Sequence, residues 1–284
     1  MNLITPFDPW KGKLCTCPKK YNLSAYTGCS HGCLYCYASS YIKNFFNPRP
    51  KKDYIKKLER EIKKIPKNSF ITMANSSDPY LDLEKDLQLT RKTLTVLKKF
   101  RQRVMIVTKS SLVLRDLDIL KKFGKIVVSI SLTTLKENLA KKLEPFASSP
   151  KERLQAIQRL SKYIPVVVRF DPLIYLLNTT ETRKLIEEVK SRGAKQIITS
   201  TYKVRPDNFQ RILRQFPQYR NLWEKLYMED GERIGGYIYL SMELRKKLIK
   251  EVRNISKSFK LEFSSCREGF HKLNTKKCDG SSFF

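Results

Sequence analysis

The chain has 284 residues, 41% of them hydrophobic, with ten glycines, which is material for one large core or one core with a small appendage. Its 57 Lys and Arg against 27 Asp and Glu give a formal charge of +30, spread along the whole length, a field that attracts polyanions such as tRNA, rRNA or DNA; lysines that only solvate helix faces are the plainer alternative. The N-terminal MNLITPFDPWKGK has no apolar signal core and no run is long enough to cross a bilayer, so a cytoplasmic protein without a membrane partner is expected, and its seven cysteines read as reduced thiols rather than a disulfide framework.

From about residue 20 to about residue 200, short β-branched runs alternate with longer amphipathic segments, the pattern of a parallel sheet with crossover helices. The predicted strands are Asn22 to Tyr26, Ser69 to Ala74, Arg103 to Thr108, Lys125 to Ser131, Ile164 to Phe170 and Lys195 to Thr201. Between the second and third, Leu83, Leu87, Thr90, Leu94, Leu97 and Phe100 fall at helical spacing. A capping box of Ser149 and Glu152, with Pro150 at the first turn, opens a helix carrying Leu154 and Ile157. The fold class is therefore α/β, a partial TIM-type (β/α)6 barrel, with chemistry expected at the C-terminal strand ends.

After the sixth strand the pattern changes. Residues 205 to 240 read as a helical pair rich in aromatic and basic side chains, in which Phe209, Ile212, Leu213 and Phe216 make a core stripe and Tyr219, Trp223 and Tyr227 are left as candidates for base stacking. Met242 to Phe259 is a longer helix with Leu244, Leu248, Val252, Ile255 and Phe259 on one face, followed by a possible last strand in KLEFSS. The expected division is an N-terminal arm over 1–20, the barrel over 21–202, and a helical extension with a cysteine-containing tail over 203–284.

The densest chemistry lies in GCSHGCLYCYASSY, Gly28 to Tyr41. Cys29, Cys33 and Cys36 would share one face of an ideal helix, but Gly28 and Gly32 favour a loop curling round a compact object. Three soft thiolates suit an iron-sulfur cube with one iron left open, whereas a structural zinc would need a fourth ligand, His31 or a distant cysteine.

The C-x-x-x-C-x-x-C spacing, with Tyr35 before the last cysteine and β/α repeats after it, resembles the radical S-adenosylmethionine superfamily. GCSHGCLYCYA, NSSDPY (Asn75 to Tyr80) with EKDLQLTRKTL, VTKSSLVLRDLDIL (Val107 to Leu120), SISLTTL with KKLEP (Ser129 to Pro145) and RFDPLI (Arg169 to Ile174) are similar to the branch containing spore photoproduct lyase, over roughly residues 13 to 200. The resemblance implies a 4Fe-4S cluster on Cys29, Cys33 and Cys36 whose open iron is chelated by S-adenosylmethionine. It further implies one-electron cleavage to methionine and a 5′-deoxyadenosyl radical, with an external electron donor.

The same resemblance implies that Tyr37 packs near the adenine and that Ser77, Lys109 and Ser131 reach the methionine carboxylate, amino group or ribose. Independently, a polar residue at each successive strand end faces one shared mouth, and Lys109 supplies the positive charge that a carboxylate needs. Each also has an ordinary reading: Ser77-Asp78-Pro79 as a turn, Lys109 as one lysine among many. Arg169 is a further candidate, although RFDP could simply close a strand with an Arg to Asp pair. Lys109 and Asn75 are the candidate catalytic side chains. Asn75 stands where spore photoproduct lyase carries the cysteine that returns a hydrogen atom to its product; an amide cannot do so, and direct reversal of that lesion is not expected of this chain.

Cys15, Cys17, Cys266 and Cys278 remain. If the C-terminal segment folds back on the first strand they make a second four-thiolate site, for an auxiliary iron-sulfur cluster or zinc, with His271 able to replace one member; surface or core thiols are the alternative. Three functions stay open: a radical enzyme acting on nucleic acid, a radical enzyme acting on a protein or small molecule, and an RNA-binding protein whose metal is only structural.

Overall fold

Runs of β-branched residues buried on both faces become the strands of one mostly parallel sheet, because crossover helices cover their outer side. The computed structural model describes residues 2–7, 14–73 and 75–284. Its main sheet comprises β1 (Thr5–Pro6), β2 (Tyr21–Leu23), β3 (Phe70–Met73), β4 (Arg103–Thr108), β5 (Ile126–Ser131), β6 (Val166–Leu173), β7 (Gln196–Thr201) and β8 (Glu262–Ser265), neighbours in space in that same order. From β2 onward adjacent strands are parallel, and β1 pairs antiparallel with β2 at one edge. This is a partial TIM-type barrel, and KLEFSS is its last parallel strand.

The boundaries differ from expectation where side chains intervene. The first strand stops at Leu23: Ser24 Oγ donates to the Tyr26 carbonyl at 2.8 Å, and Tyr26–Thr27 then pairs with Arg49–Pro50 in a separate two-stranded ribbon. Ala74, the predicted end of the second strand, lies outside the described residues, as do residues 8–13 of the N-terminal arm. The helical stripe after β3 is broken at Gln88, at φ 51°, into Leu83–Leu87 and α1 (Leu89–Lys99). The fully buried Glu84 carboxylate accepts from the Thr90 amide at 2.9 Å, capping α1 in place of a continuous helix. The Ser149–Glu152 capping box of α2 (Pro150–Leu160) forms as the sequence predicts.

The expected helical pair is a helix followed by a hairpin. α3 (Pro206–Gln215) and a short turn of helix at Arg220–Glu224 lead into the strands Glu232–Ile234 and Tyr237–Tyr239, joined through Gly235 and Gly236 at φ 56° and 78°. A two-residue turn with both central φ positive is a hairpin signal, and IGGY carries it. α4 (Met242–Ser258) returns the chain to β8. Among the described residues no helix is long and apolar enough to cross a membrane.

The tail after β8 runs across the concave side of the sheet. The Thr275 amide donates to the Phe263 carbonyl at 2.9 Å, Gly280 lies against Val127 and Met105, and Phe284 packs edge-on to Phe70 at 5.0 Å. At the opposite edge Lys20 Nζ meets Asp279 at 2.9 Å, both side chains 3% exposed, so the tail spans the open barrel from β8 toward β2.

Candidate active site

The cysteine loop follows the Tyr26–Thr27 pairing and cannot be helical. Gly28 and Gly32 sit at φ 84° and 66°, and an added Cβ would lie 2.5 Å from the Phe45 carbonyl oxygen or 3.0 Å from the Phe146 ring. One side of the loop is fastened by backbone: Cys29 N donates to Phe45 O at 2.7 Å, Leu34 N to Leu143 O at 2.9 Å, and Phe146 N to His31 O at 3.2 Å. KKLEP, quoted above only for its likeness to a family, is thus the buttress of the loop.

The other side is clamped by α3. Arg211 donates through Nε to Leu34 O at 3.1 Å and through Nη2 to Cys36 O at 3.0 Å and Ser39 Oγ at 2.9 Å, while pairing with Asp207 at 2.9 Å. Asn208 Nδ2 donates to Tyr35 O at 3.2 Å. A guanidinium fork reaching two carbonyls is a contact that lysine could not reproduce.

A cavity of about 480 Å³ opens at the C-terminal strand ends and runs down the concave face. All seven cysteines line it, together with Tyr37, Asn75, Ser77, Lys109, Ser131 and Arg169. Asn75 Nδ2 donates to Asn22 Oδ1 at 2.6 Å, and Ser77 Oγ donates to the Gly28 carbonyl at 2.5 Å, tying the loop after β3 to the cysteine loop. Lys109 Nζ lies over the Tyr35 ring at 5.6 Å. Ser131 ends β5, its carbonyl accepting from Arg153 at 3.0 Å. Arg169 pairs with Asp171 at 3.2 Å, the internal pair that the sequence allowed, and also donates to the Cys278 carbonyl at 3.4 Å. His271 does not line the cavity.

Sequence reasoning missed the polar groups behind the loop. Asp78 accepts from Thr108 Oγ1 at 2.7 Å, Lys109 N at 2.8 Å and Tyr80 N at 2.9 Å, and stands 3.5 Å from His31 Nδ1. Burial lowers the His31 pKa, so the imidazole is neutral and turned toward Asp78. Glu144 forms a buried ion pair with Arg153 and accepts from the Tyr35 hydroxyl and, at 2.9 Å, from Thr133 Oγ1. Burial opposes ionisation of Glu144, but Arg153 and Lys109 outweigh it and hold its pKa below the usual carboxylate range. For Lys109 burial is likewise outweighed, by Cys33 and Glu144, and it stays a cation. The signal was present in the Asp of SSDP and the Glu of KKLEP, but each had a plain reading as a turn or a surface charge.

The three loop thiols fit a thiophilic iron cluster by donor type. Burial pushes all three pKa values up, Cys33 to about 12, so these thiols ionise only against a strongly cationic partner in the cavity. His31 is engaged elsewhere, leaving three sulfur donors on the loop.

The stacking candidates are not a platform for bases. Trp223 and Tyr227 are 1% and 2% exposed, and Tyr219 stacks on Trp223 at 4.8 Å, because the turn at Arg220–Glu224 folds its aromatic side inward. A different aromatic and arginine group lies at the cavity rim. Arg205 and Arg267 cover the Tyr237 ring at 4.7 and 5.0 Å, Arg267 also reaches Tyr37 at 5.9 Å, and Arg205 reaches the exposed Tyr41 at 5.9 Å.

A cavity lined by a three-cysteine loop at the strand ends of a partial barrel defines a cofactor-dependent enzyme class. The chain belongs to the radical SAM superfamily, whose family model matches residues 23–189. It is 37% identical over 145 residues to an uncharacterized protein of Methanocaldococcus jannaschii, covering 50% of this chain and 55% of that one. It is 31% identical over 147 residues to an uncharacterized protein of Acidianus two-tailed virus, covering 46% and 48%; the matches span about half the length of these relatives. In fold it is similar to spore photoproduct lyase with bound AdoMet and dinucleoside spore photoproduct, with TM-score 0.70, 18% identity, and 90% and 79% of the two chains covered. It is also similar to SuiB of Streptococcus suis bound to S-adenosylmethionine, with TM-score 0.57, 14% identity, and 86% and 50% covered.

Proposed function

We propose that the protein is a radical SAM enzyme that holds a 4Fe-4S cluster on Cys29, Cys33 and Cys36, cleaves S-adenosylmethionine reductively with electrons from an external donor, and acts on a nucleic acid. The observation that carries the reading is that one cavity at the strand ends is lined by those three cysteines together with Tyr37, Ser77, Lys109 and Ser131. When bound, the cluster and S-adenosylmethionine together supply a carbon-centred radical able to abstract hydrogen from an unactivated C–H bond.

The side chains divide the remaining work. Lys109, kept cationic, offers its ammonium to the cofactor carboxylate, and Ser131 offers a hydroxyl from the neighbouring strand end. Tyr37 supplies an aromatic face for the adenine. Asn75, fixed by Asn22, lends the cavity a polar wall and no abstractable hydrogen comparable to a thiol's. The buried Tyr35, Glu144 and Arg153 network keeps water from the back of the loop.

A nucleic-acid substrate is supported by the +30 charge and by the Arg205, Arg267 and Tyr41 rim, which combines guanidinium groups able to meet phosphates with an exposed aromatic ring. Spore photoproduct lyase, a fold relative, carries a dinucleoside photoproduct in its solved structure.

The test is 5′-deoxyadenosine formation by anaerobically reconstituted protein given S-adenosylmethionine and dithionite, beside a variant with Cys29, Cys33 and Cys36 all changed to Ala. Nucleoside from the parent alone is expected, increasing when tRNA or DNA is added. No nucleoside from cluster-loaded protein, with or without nucleic acid, would overturn the enzymatic reading.

A further inference from the structure

The proposed reaction uses three of seven cysteines. The other four come from opposite parts of the chain: Cys15 and Cys17 from the arm before β2, Cys266 from the end of β8, Cys278 from the tail. Cys17 Sγ and Cys278 Sγ are 4.0 Å apart, across 261 residues of sequence. Cys15 lies beside Cys17, and Cys266 beside Cys278, a string of four sulfurs along the wall of one cavity.

The Cys17–Cys278 spacing bears on what the four can hold. Four sulfurs about 2.3 Å from one tetrahedral zinc ion stand about 3.8 Å from each other, and 4.0 Å between Cys17 and Cys278 is close to that edge. It is far too long for a disulfide, whose sulfurs lie about 2.05 Å apart. Among the described residues no three His, Cys, Asp or Glu side chains already surround one point in ion-binding geometry. Closing the string therefore requires Cys15 and Cys266 to turn toward the Cys17–Cys278 pair.

Two basic side chains flank the four sulfurs. Lys20, anchored by Asp279 at 2.9 Å, lies beside Cys17, and Arg169 lies beside Cys266 and donates to the Cys278 carbonyl at 3.4 Å. Four thiolates round a divalent ion leave a net charge of −2, and these two cations lie beside it.

We infer that Cys15, Cys17, Cys266 and Cys278 form a second, closed metal site for a single tetrahedral thiophilic ion, zinc, which clips the arm to the tail beneath the reaction cavity. Binding releases the thiol protons and exchanges four S–H bonds for four S–Zn bonds, with no electron transferred.

The inference does not depend on the proposed radical reaction, and its test avoids it. In the Cys29, Cys33 and Cys36 triple Ala variant, zinc is expected at about one per chain, falling about tenfold when Cys17→Ser and Cys278→Ser are added. Exchange of the zinc for cobalt should give the visible bands of a tetrahedral thiolate site, shifted by Cys15→Ser. Should the triple variant fail to fold, iron and zinc are counted in the reconstituted parent, where about four iron and one zinc per chain are expected. Iron and sulfide at these four residues instead of zinc, zinc that survives loss of Cys17 and Cys278, or folded protein without metal there would each overturn the assignment.

Discussion

Ser77 donates its hydroxyl to the carbonyl of Gly28 at 2.5 Å, so a side chain expected to reach a cofactor also fastens the loop that presents the first cysteine. Leaving a buried carbonyl without its donor costs about 1–3 kcal/mol. Ser77→Ala should lower the melting temperature and speed iron loss from the reconstituted protein, and Ser77→Thr should restore both. Iron retention equal to the parent's in Ser77→Ala would assign the hydroxyl to the cavity alone.

Arg211 makes the matching bonds from the far side, to the carbonyls of Leu34 and Cys36. Hydrogen bonds to a charged group contribute about 1.5–3 kcal/mol each. Arg211→Lys, which keeps the charge and loses the fork, should bind less iron than the parent and melt several degrees lower. Equal iron content and equal melting in Arg211→Lys would mean that α3 does not clamp the loop.

Glu144 gives the chain an acid-sensitive element. Its pKa is depressed in the folded state below its ordinary 4.5, since Arg153 and Lys109 outweigh burial, so the unfolded chain binds its proton first as pH falls. The stabilisation is complete above about 4.5 and is lost as pH drops through the folded-state pKa. Glu144→Gln should flatten that part of the stability profile, measured by denaturant melts between pH 3 and 6. It should also lower stability at pH 7 by about 3–5 kcal/mol, because Arg153 is left as an unpaired buried cation.

Burial of Trp223 and the half-buried position of Arg205 and Arg267 at the cavity rim predict opposite phenotypes. Trp223→Ala should destabilise the fold by about 3–5 kcal/mol, while the remaining folded protein binds nucleic acid as before. Arg205→Ala with Arg267→Ala should melt near the parent temperature and bind RNA or DNA more weakly, with a shallower dependence of affinity on salt. Binding unaffected by the double change would remove the rim from the substrate path.

The repeating strands were legible because a buried parallel strand leaves an unbroken β-branched run, as in Ile126–Ser131. The cysteine loop was legible because glycine at positive φ is a local requirement, independent of tertiary context. What α3 does was not: Arg211 looks like any other basic residue until the loop carbonyls are brought to it. Trp223 and Tyr227 were misjudged for a related reason, since aromatic spacing alone does not say which side of a short helix faces the core. The hairpin was written in Gly235 and Gly236 and went unread because the flanking aromatics suggested a helix. That Cys17 would reach Cys278 depended on the tail crossing the sheet, a path no local pattern encodes.

The tie between Lys20 and Asp279 also bears on the order in which the molecule assembles. Its two sides are 259 residues apart, whereas most of the sheet joins strands from successive β/α units. Contacts that close long loops carry an entropic cost before they return anything, so they form late. In the metal-free chain the seam between arm and tail should thus be the last element to consolidate and the first to open, and its amides should exchange with solvent through a partial opening while those of Ile126–Ser131 wait for global unfolding. The floor of the reaction chamber would then be its most labile wall.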